Sequence, residues 1–465
     1  TLNPFIVDVA ETLQERGITI GKFIPVVELP LPNKPLDIAE NYDSRKDYRR
    51  KAADVMNINA QQFKRSCRTR MTMNAVKVFK GREKFFIPWS FDYRGRAYPI
   101  PAFLTPQDTD FGKSLLLFAE KATMTYEAED WLRFQVSTTA GLDKETMKDR
   151  INWASHNHEL ITRIATDPIG NLSDWEEIDE PWQFLAACHE YYHTCILCDR
   201  NYTNLPVAVD ATCSGLQILA GLARDASTAK LVNVLPSEKP QDAYKVIAEE
   251  AKPNVPESIR PFMDRKTTKR TVMTVPYNAK PFSNRGYIRE ALKEKGVEVE
   301  KEDLTATVNA VRGAMNVIVP GPMKVMKWIE KEVGNAIDRG EQEIQWCTPS
   351  GFIVTQRLMK PIVETIELQL LGRCQIKVAT AHHKNATAPN LIHSLDASLL
   401  HLSAIRFNAP LALIHDSVLC RATDMHILSA IVREVYMHLF AEQDYLTSWA
   451  AQIGAESEPP IIDTL

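Results

Sequence analysis

Two short apolar runs that each meet an aspartate constrain the fold of this chain more than any other feature. In LPVAVDATCSGLQ the apolar run ends at Asp210, and small residues follow it through Gly215. In LALIHDSVLC the apolar run is interrupted at His415-Asp416-Ser417 and then resumes, which predicts a hairpin. A buried charge is costly unless it is paired or binds a metal. We therefore expect both carboxylates at strand ends, and Asp416 in particular needs a partner.

Each aspartate also has a simpler interpretation, since a strand-end Asp210 is well suited to cap the next helix. If the two carboxylates lie on adjacent strands, however, the slim residues after Asp210 leave room for metal ions and a phosphate. Such a pair would bind two Mg²⁺ ions roughly 4 Å apart, one activating an attacking hydroxyl and the other stabilising a leaving phosphate.

A basic segment, DRKTTKRTVMTVPYNAK, is typical of a phosphate-binding helix. Arg265, Lys269 and Tyr277 recur at intervals of four and eight residues, which predicts a shared face of one helix. Arg265, Lys269 and Arg270 suit a triphosphate, because guanidinium groups bind phosphate oxygens in pairs and lysine supplies a point charge or a proton. The alternative is a plain basic surface.

Two further motifs carry candidate residues. In FDYRGRAYP, Arg94 and Arg96 alternate around Gly95, so on a strand they would point to one side and bind a nucleic-acid backbone. The alternative is a turn with surface arginines. The segment TAPNLIHSLDASLLHL begins with a Pro-Asn helix start and places His393 on the helix that follows, where a core histidine is the competing interpretation.

A basic helix is expected near the start of the chain. The pattern indicates one helix from about Asp43 to Phe79, and nine Lys or Arg residues lie between Arg45 and Arg70 against two acids. This charge indicates either a solvated helix face or a surface that follows phosphates, since such binding needs a local cluster of cations.

Composition fits a large globular protein. The chain has 465 residues, 45% of them hydrophobic, which allows about three domains and a sizeable core. A net charge of −4 argues against nucleic-acid binding through overall positive charge. The eight cysteines are scattered, which favours reduced thiols in a cytosol-like compartment and argues against secretion. Neither a membrane-spanning run nor a signal peptide is indicated.

The expected fold class is mixed α and β, mostly helical. Residues 113–200 and 225–340 show helical patterns, whereas FFIPWSF and LPVAVDA are typical of strands. The segments ETIELQL and CQIKVA flank Leu371-Gly372-Arg373, which predicts a hairpin at about 361–380.

Taken in order, FDYRGRAYP, DATCSG, DRKTTKRTVMTVPYN, APNLIHSLD and IHDS resemble the successive signatures of the single-subunit RNA polymerases of phages, mitochondria and chloroplasts. The segments between these motifs, such as WCTPSGF, are similar too, so the resemblance extends from about Phe85 to Ser417. The resemblance implies a right-hand polymerase with a thumb at 1–82, a palm at 83–226 and 394–465, and fingers at 227–393.

The resemblance also implies roles for individual residues. Asp210 and Asp416 match the two metal-binding carboxylates, with the carbonyl of Ala211 as a further ligand of Mg²⁺. Arg265, Lys269 and Arg270 match residues that hold the triphosphate. Lys269 is the candidate acid that protonates the leaving pyrophosphate, and Tyr244 matches an aromatic residue of the fingers.

Tyr277 and His393 match the pair that senses the ribose 2′-hydroxyl. Arg94 and Arg96 match residues that hold template and product, and His415 would lie beside the primer end.

The partners implied are a DNA template, an RNA product and ribonucleoside triphosphates, with no membrane, and we expect a monomer. The resemblance implies a location in the cytoplasm of a phage-infected host or in an organelle matrix.

The sequence also departs from the family pattern. The family's large N-terminal domain is absent from these residues, the sequence stops at PPIIDTL without the usual aromatic-rich end, and the hairpin before TAPN is short. Pro276 and Asn278 flank Tyr277 where the family commonly has a non-proline residue and a glycine, so we expect the helix to bend there.

Two alternatives remain beside DNA-directed RNA synthesis. A related DNA polymerase would typically carry a bulky acidic residue after the first aspartate, where this sequence has Ala-Thr-Cys-Ser-Gly. A catalytically silent nucleic-acid-binding domain would keep the basic residues but incorporate no nucleotide.

Overall fold

The fold is described by a computed structural model over residues 1–362 and 375–462. Helices account for 57% of the structure and strands for 9%, so the expectation of a mixed, mostly helical protein is confirmed. The helices are α1 Pro4–Arg16, α2 Tyr42–Arg65, α3 Cys67–Phe79, α4 Asp110–Ser114, α5 Tyr126–Thr139, α6 Met147–His156, α7 His158–Thr166, α8 Pro181–Tyr191, α9 Ser214–Ala223, α10 Ala226–Leu231, α11 Ala243–Ala251, α12 Arg265–Thr274, α13 Pro281–Glu294, α14 Lys301–Ile318, α15 Pro320–Asp338, α16 Thr380–Arg406, α17 Met425–Met437 and α18 Tyr445–Ile453.

The strands are short and form separate small sheets. They are β1 Trp89–Phe91, β2 Ala97–Pro99, β3 Ala122–Thr123, β4 Tyr202–Thr203, β5 Pro206–Asp210, β6 Ile344–Cys347, β7 Ile353–Gln356, β8 Met359–Ile362, β9 Gln375–Val378, β10 Ala412–Ile414 and β11 Ser417–Arg421. Among the described residues the one sheet of three strands has the order β10-β11-β5, and the other four are two-stranded. All described pairings are antiparallel.

Three hydrophobic cores are found among the described residues. The first joins α1, α5 and α8 to the inner side of β5 and β11. The second gathers α15, α16 and α18 around the buried Trp346 and Trp449. The third lies among α11 to α14. Helix α9 packs against both the second and the third core, since Ile218 and Leu219 belong to one and Leu216 and Ala220 to the other.

Helix α9 is buried on nearly every side, as expected for a helix that is apolar all round. It begins four residues after β5 ends at Asp210. The segment that carries the first aspartate is therefore held between a central strand and a fully packed helix, which makes it a rigid support for a site.

Several sequence-based boundaries differ from those observed. The basic helix expected from Asp43 to Phe79 is two helices that meet at Ser66, and α2 itself buries no side chain. The hairpin predicted at about 361–380 corresponds to the pairing of β8 with β9, although its strand segment ETIELQL and its turn Leu371-Gly372-Arg373 lie outside the described residues.

The helix start predicted at Pro389 was wrong, because α16 begins at Thr380 and contains Pro389 in its interior. Proline cannot donate the hydrogen bond that the carbonyl four residues earlier would accept. That carbonyl belongs to Asn385, and it accepts a hydrogen bond of 2.9 Å from the side-chain amide of Asn278 instead. A contact distant in sequence thus allows the helix to continue through a proline.

Within residues 1–362 and 375–462, no helix has the length and apolar character needed to cross a bilayer. The seven cysteines of these ranges are free thiols.

Candidate active site

The three-stranded sheet brings the two predicted aspartates to one end. Strand β5 ends at Asp210, whose partner in the antiparallel ladder is Ser417, the first residue of β11. Strands β10 and β11 form a hairpin in which Ile414 pairs with Ser417, so His415 and Asp416 form its two-residue turn. Asp416 therefore directly precedes the residue that faces Asp210. The predicted hairpin explains how a carboxylate can interrupt an apolar run, because it lies on the turn and not inside a strand.

The two carboxylates interact electrostatically. Asp210 is accessible to solvent but lies in a cleft, and the protein around it disfavours its charge. Burial in the cleft, followed by repulsion from Asp416, raises the pKa of Asp210 to about 6. The backbone amide of Ala211 donates a hydrogen bond to Asp210 and partly opposes this shift, as do the positive charges of Lys113 and Lys144.

The donor atoms at this end of the sheet fit Mg²⁺. Carboxylate and carbonyl oxygens are the ligands that this ion prefers, and it usually keeps several waters or substrate phosphates in its shell. A divalent cation would also relieve the repulsion that raises the pKa of Asp210. In the part of the chain that the structure describes, no three His, Cys, Asp or Glu side chains converge on one point. The remaining ligands would therefore come from the Ala211 carbonyl, water or substrate.

A cavity of about 790 Å³ opens in front of the two carboxylates. One wall is the sheet end with Asp210 and Asp416, and another is α12 with Arg265 and Lys269. The cavity thus brings the two predicted carboxylates and two of the predicted cations together, with room for a molecule the size of a nucleotide.

Helix α12 presents only some of its predicted residues to this cavity. Arg265, Lys269 and Tyr277 line it, whereas Arg270 does not. The Arg270 guanidinium pairs with Glu290 at 2.6 Å and stacks over the ring of Tyr287 at 4.3 Å, on the side that faces α13. The structure therefore separates Arg270 from the other predicted triphosphate ligands.

The α-helix ends before Tyr277 is reached. Helix α12 stops at Thr274, a 3₁₀ turn covers Val275–Tyr277, and Asn278 adopts the left-handed conformation with φ of 62°. Pro276 cannot donate a helical hydrogen bond, and asparagine tolerates left-handed geometry better than most residues. The change of direction expected from these two residues is thus present as a helix end.

Arg265 and Lys269 differ in their surroundings. Arg265 is anchored by Asp242, whose carboxylate accepts from Nε at 2.6 Å, and it lies over the ring of Tyr244 at 5.4 Å. Tyr244 is buried with its hydroxyl directed at the Thr212 carbonyl, so it supports Arg265 from behind. Partial burial is the main cause that lowers the pKa of Lys269. The nearby positive charges of Arg265 and Lys144 lower it further.

Tyr277 and His393 form a stacked pair. Their ring centroids are 4.9 Å apart with an interplanar angle of 28°, and the Tyr277 hydroxyl lies 3.2 Å from Oγ of Ser214. A Cβ at Gly215 would come within 3.2 Å of the Tyr277 ring, so the glycine in the first turn of α9 permits this close approach. Tyr277 lines the cavity, whereas His393 is not among the lining residues and lies behind it, in contact with Tyr277 and Arg94.

Arg94 and Arg96 lie in the turn between β1 and β2, so the expected alternation along a strand was wrong. Neither is a free surface arginine. Arg96 is partly buried and pairs with the buried Asp396 of α16, through a 3.1 Å bond from Nε and a second bond from its Nη2. Burial opposes the charge of Arg96, but the hydrogen bonds and charge of Asp396 outweigh it and raise the pKa of the guanidinium. Arg94 contacts Asp92 and His393.

His415 occupies a strained position beside the carboxylates. Its φ of 54° is uncommon for a residue with a Cβ, and such conformations cluster at functional sites. Its ring packs against Tyr98 with centroids 5.1 Å apart. Burial, then repulsion from Arg96, lowers the pKa of His415, which favours a neutral ring.

Sequence reasoning missed several residues that the fold brings to the site. Lys113 and Lys144 line the cavity and act electrostatically on Asp210, but each comes from a helix or loop without a recognisable motif. Ser214 lies within the small-residue run after Asp210 and could have been found there. Asp92 and Asp396 also lie inside the recognised motifs. Asp92 pairs with Arg94 two residues later, whereas the partner of Asp396 is Arg96, 300 residues away in the chain.

Comparison with known proteins places this site in a family. The sequence profile of the family described as DNA-dependent RNA polymerase matches residues 123–460. The chain is 27% identical to DNA-directed RNA polymerase 2, chloroplastic/mitochondrial, of Arabidopsis thaliana over 99% of its own length and 49% of the relative. It is also 27% identical to T7 RNA polymerase of Escherichia phage T7, over 96% of the chain and 59% of that protein.

A mitochondrial DNA-directed RNA polymerase of Mus musculus is 30% identical over 77% of this chain and 32% of its own length. The chain spans about half the length of the curated plant and phage relatives that it matches. The matched residues include both aspartates of the sheet and the whole of α12. The chain therefore belongs to the DNA-dependent RNA polymerase family.

Proposed function

We propose that this chain is a DNA-directed RNA polymerase that adds ribonucleotides to an RNA 3′-hydroxyl in the order set by a DNA template. One observation carries this proposal: Asp210, Asp416, Arg265 and Lys269 line a single cavity of about 790 Å³. Carboxylates and cations in one cavity suit a nucleoside triphosphate whose α-phosphate lies near the acids and whose outer phosphates lie near the bases.

In the proposed reaction the 3′-oxygen forms a bond to the α-phosphorus, and the bond from that phosphorus to the bridging oxygen of pyrophosphate breaks. Two Mg²⁺ ions held by Asp210, Asp416 and the Ala211 carbonyl would activate the 3′-hydroxyl and stabilise the negative charge of the leaving group. Arg265, fixed by Asp242, would hold the outer phosphates in place.

Lys269 is the proposed proton donor to pyrophosphate. Its position on the cavity wall, one helical turn after Arg265, places an ammonium near the outer phosphates. Because burial and neighbouring cations lower its pKa, the ammonium gives up its proton more readily than a solvated lysine does. Arg270 has no proposed role in this step, because it forms an ion pair with Glu290 away from the cavity.

We further propose that the stacked Tyr277 and His393 detect the ribose 2′-hydroxyl. A site built to hydrogen-bond that group would leave polar atoms unpaired with a deoxynucleotide. Gly215, which lets Tyr277 approach the end of α9, also leaves no bulky acid in the place where a DNA polymerase would exclude the hydroxyl.

The right-hand architecture is part of the same proposal, with a thumb at 1–82, a palm at 83–226 and 394–465, and fingers at 227–393. The partners would be a DNA template, the RNA product and ribonucleoside triphosphates, and the active form a monomer. A phage-infected cytoplasm or an organelle matrix is the proposed location, since the relatives named above come from a phage and from organelles.

Extension of an RNA primer on a DNA template tests the proposal. With Mg²⁺, the wild type should extend the primer with ribonucleotides and discriminate against deoxynucleotides. Asp416→Asn should lower the rate at least a hundredfold, because it removes a metal-binding charge from the cavity. Asp338→Asn is the matched control, since Asp338 is an exposed carboxylate at the end of α15 outside the cavity.

Other outcomes point to the alternatives. Preference for deoxynucleotides would indicate a related DNA polymerase. If the wild type binds primer and template tightly but extends the primer with neither ribonucleotides nor deoxynucleotides, the chain is a catalytically silent nucleic-acid-binding domain. That result would overturn the proposed activity.

A further inference from the structure

The turn between β1 and β2 is built around a single carboxylate. Asp92 accepts hydrogen bonds from the backbone amides of Arg94 and Arg96, at 2.9 and 3.0 Å. It also accepts from Nε and Nη2 of the Arg94 guanidinium, at 2.9 and 2.6 Å. Such a fork-shaped contact fixes the orientation of the guanidinium plane. The remaining terminal nitrogen, Nη1, is then directed at Nδ1 of His393 on α16.

The contact between Arg94 and His393 has one possible polarity. A guanidinium group carries only donors, so Nδ1 of His393 must accept. An imidazolium has a proton on both nitrogens and could not accept, so the ring is neutral. The single ring proton must then be on Nε2, because Nδ1 is occupied as an acceptor.

The surroundings of His393 reinforce this state. Burial, then the positive charges of Arg96 and Arg94 and the neighbouring His415, lowers the pKa of His393 to about 3. The ring of Tyr277 covers one face of the imidazole. Over residues 1–362 and 375–462 no hydrogen-bond partner is found for Nε2. The Nε2–H group is thus available to a ligand.

We propose that Arg94 is a positioning residue that locks His393 in the Nε2–H tautomer, so that the sugar is read by a fixed hydrogen-bond donor. This inference rests on the proposed function of the Tyr277–His393 pair. It assigns Arg94 a role other than holding nucleic acid. All three of its guanidinium nitrogens are engaged within the protein, and its side chain is only 20% exposed.

A fixed donor has a chemical consequence for substrate choice. The 2′-oxygen of a ribonucleotide can accept from Nε2–H, and a 2′-fluorine can do so weakly, whereas a 2′-deoxy sugar offers no acceptor. The proposal predicts the order 2′-hydroxyl, 2′-fluoro, 2′-deoxy for kcat/KM. In Arg94→Met the other tautomer becomes accessible, Nε2 can lose its proton, and the ratio of 2′-hydroxyl to 2′-deoxy incorporation should fall about tenfold.

A double-mutant cycle separates this role from general damage to the turn. His393→Ala should lower the sugar ratio by about as much as Arg94→Met, and the double variant should lower it no further. Arg94→Lys, which also carries only donors, should restore part of the ratio. A purely structural role would lower kcat for both sugars and leave the ratio unchanged, and multiplicative losses in the double variant would overturn the proposal.

The deciding measurement is ¹⁵N NMR of histidine-labelled free protein, with the His393 signal assigned through His393→Gln. The expected result is an unprotonated Nδ1 and a protonated Nε2, unchanged from pH 7.5 to pH 5.5. A protonated Nδ1, or titration of the ring within that range, would overturn the inference. This readout needs no catalysis, so a protein that fails to extend primers but shows this tautomer refutes the proposed function, and with it the reading of the sugar, while the positioning of His393 by Arg94 still holds.

Discussion

The charge state of Asp210 should respond to pH in a range that is accessible to experiment. Its pKa in the folded protein, about 6, lies above its ordinary value, so the folded state binds more protons than the unfolded state between about pH 4 and 6. Deprotonation therefore destabilises the metal-free fold as pH rises through that window. Asp210→Asn should melt at the same temperature as the wild type near pH 4 and about 1–2 °C higher at pH 7.

Thermal melting of metal-free protein across this pH range checks the prediction, with Asp338→Asn as the control for loss of an exposed carboxylate. Mg²⁺ should raise the melting temperature of the wild type more than that of Asp210→Asn, because the ion binds the charged form. A difference between the two proteins that does not change with pH would contradict the assignment of the raised pKa.

The position of a site residue could be predicted when its contact partners lie near it in the sequence, and could not be predicted when they lie far away. The spacing of Arg265, Lys269 and Tyr277 predicted a shared face of one helix, which was wrong for Tyr277, because it follows α12 in a 3₁₀ turn, although all three residues line the cavity. Arg270 shares the same segment but is drawn to Glu290 by the packing of α13, which no local pattern encodes. The partner of Arg96 lies 300 residues away in sequence, so the turn could be recognised but not the burial of its arginine.

At the scale of elements, the left-handed residue after α12 and the proline inside α16 depend on each other. Asn278 ends the 3₁₀ turn, and its side-chain amide satisfies the Asn385 carbonyl that Pro389 cannot serve. Both irregular residues are visible in the sequence. We predicted a helix start at Pro389, because a helix interior normally excludes proline. The compensating donor comes from a different element and becomes visible only in the fold.

Two substitutions at Asn278 separate its contributions. Asn278→Gly keeps the left-handed geometry but removes the donor, and should lower the free energy of unfolding by about 1 kcal/mol. Asn278→Ala loses the donor and adds backbone strain, for a total of about 2–3 kcal/mol. Urea unfolding measures both values. A neutral Asn278→Gly would mean that water satisfies the Asn385 carbonyl instead.

At the scale of the whole molecule, the net charge of −4 means that the nucleic-acid binding proposed above would have to use local clusters of cations. Helix α2 is the strongest local cluster, since it is basic and buries no side chain. Its exposed Lys46, Arg49 and Arg65 are suited to contact phosphates. Their combined replacement by Gln should reduce the slope of log affinity against log salt by about 2–3, because each lost phosphate contact changes it by about 0.9.

Fluorescence anisotropy with a primer-template duplex at several salt concentrations measures this slope. The matched control replaces Lys324, Lys327 and Lys331, an exposed basic stripe on α15, and should leave the slope unchanged. Equal effects of the two triple substitutions would show that binding follows total charge and that α2 is only a solvated helix face.

The two-residue turn between β10 and β11 has a consequence for which sequence changes this protein can tolerate. Surface loops usually accept insertions and deletions. Here Asp416 belongs to the turn, and the pairing of Ser417 with Asp210 sets how far apart the carboxylates lie. One inserted residue would displace Asp416 by about 3.3 Å or reverse the face to which it points. The shortest loop of the sheet is therefore under a length constraint as strict as that of any buried strand.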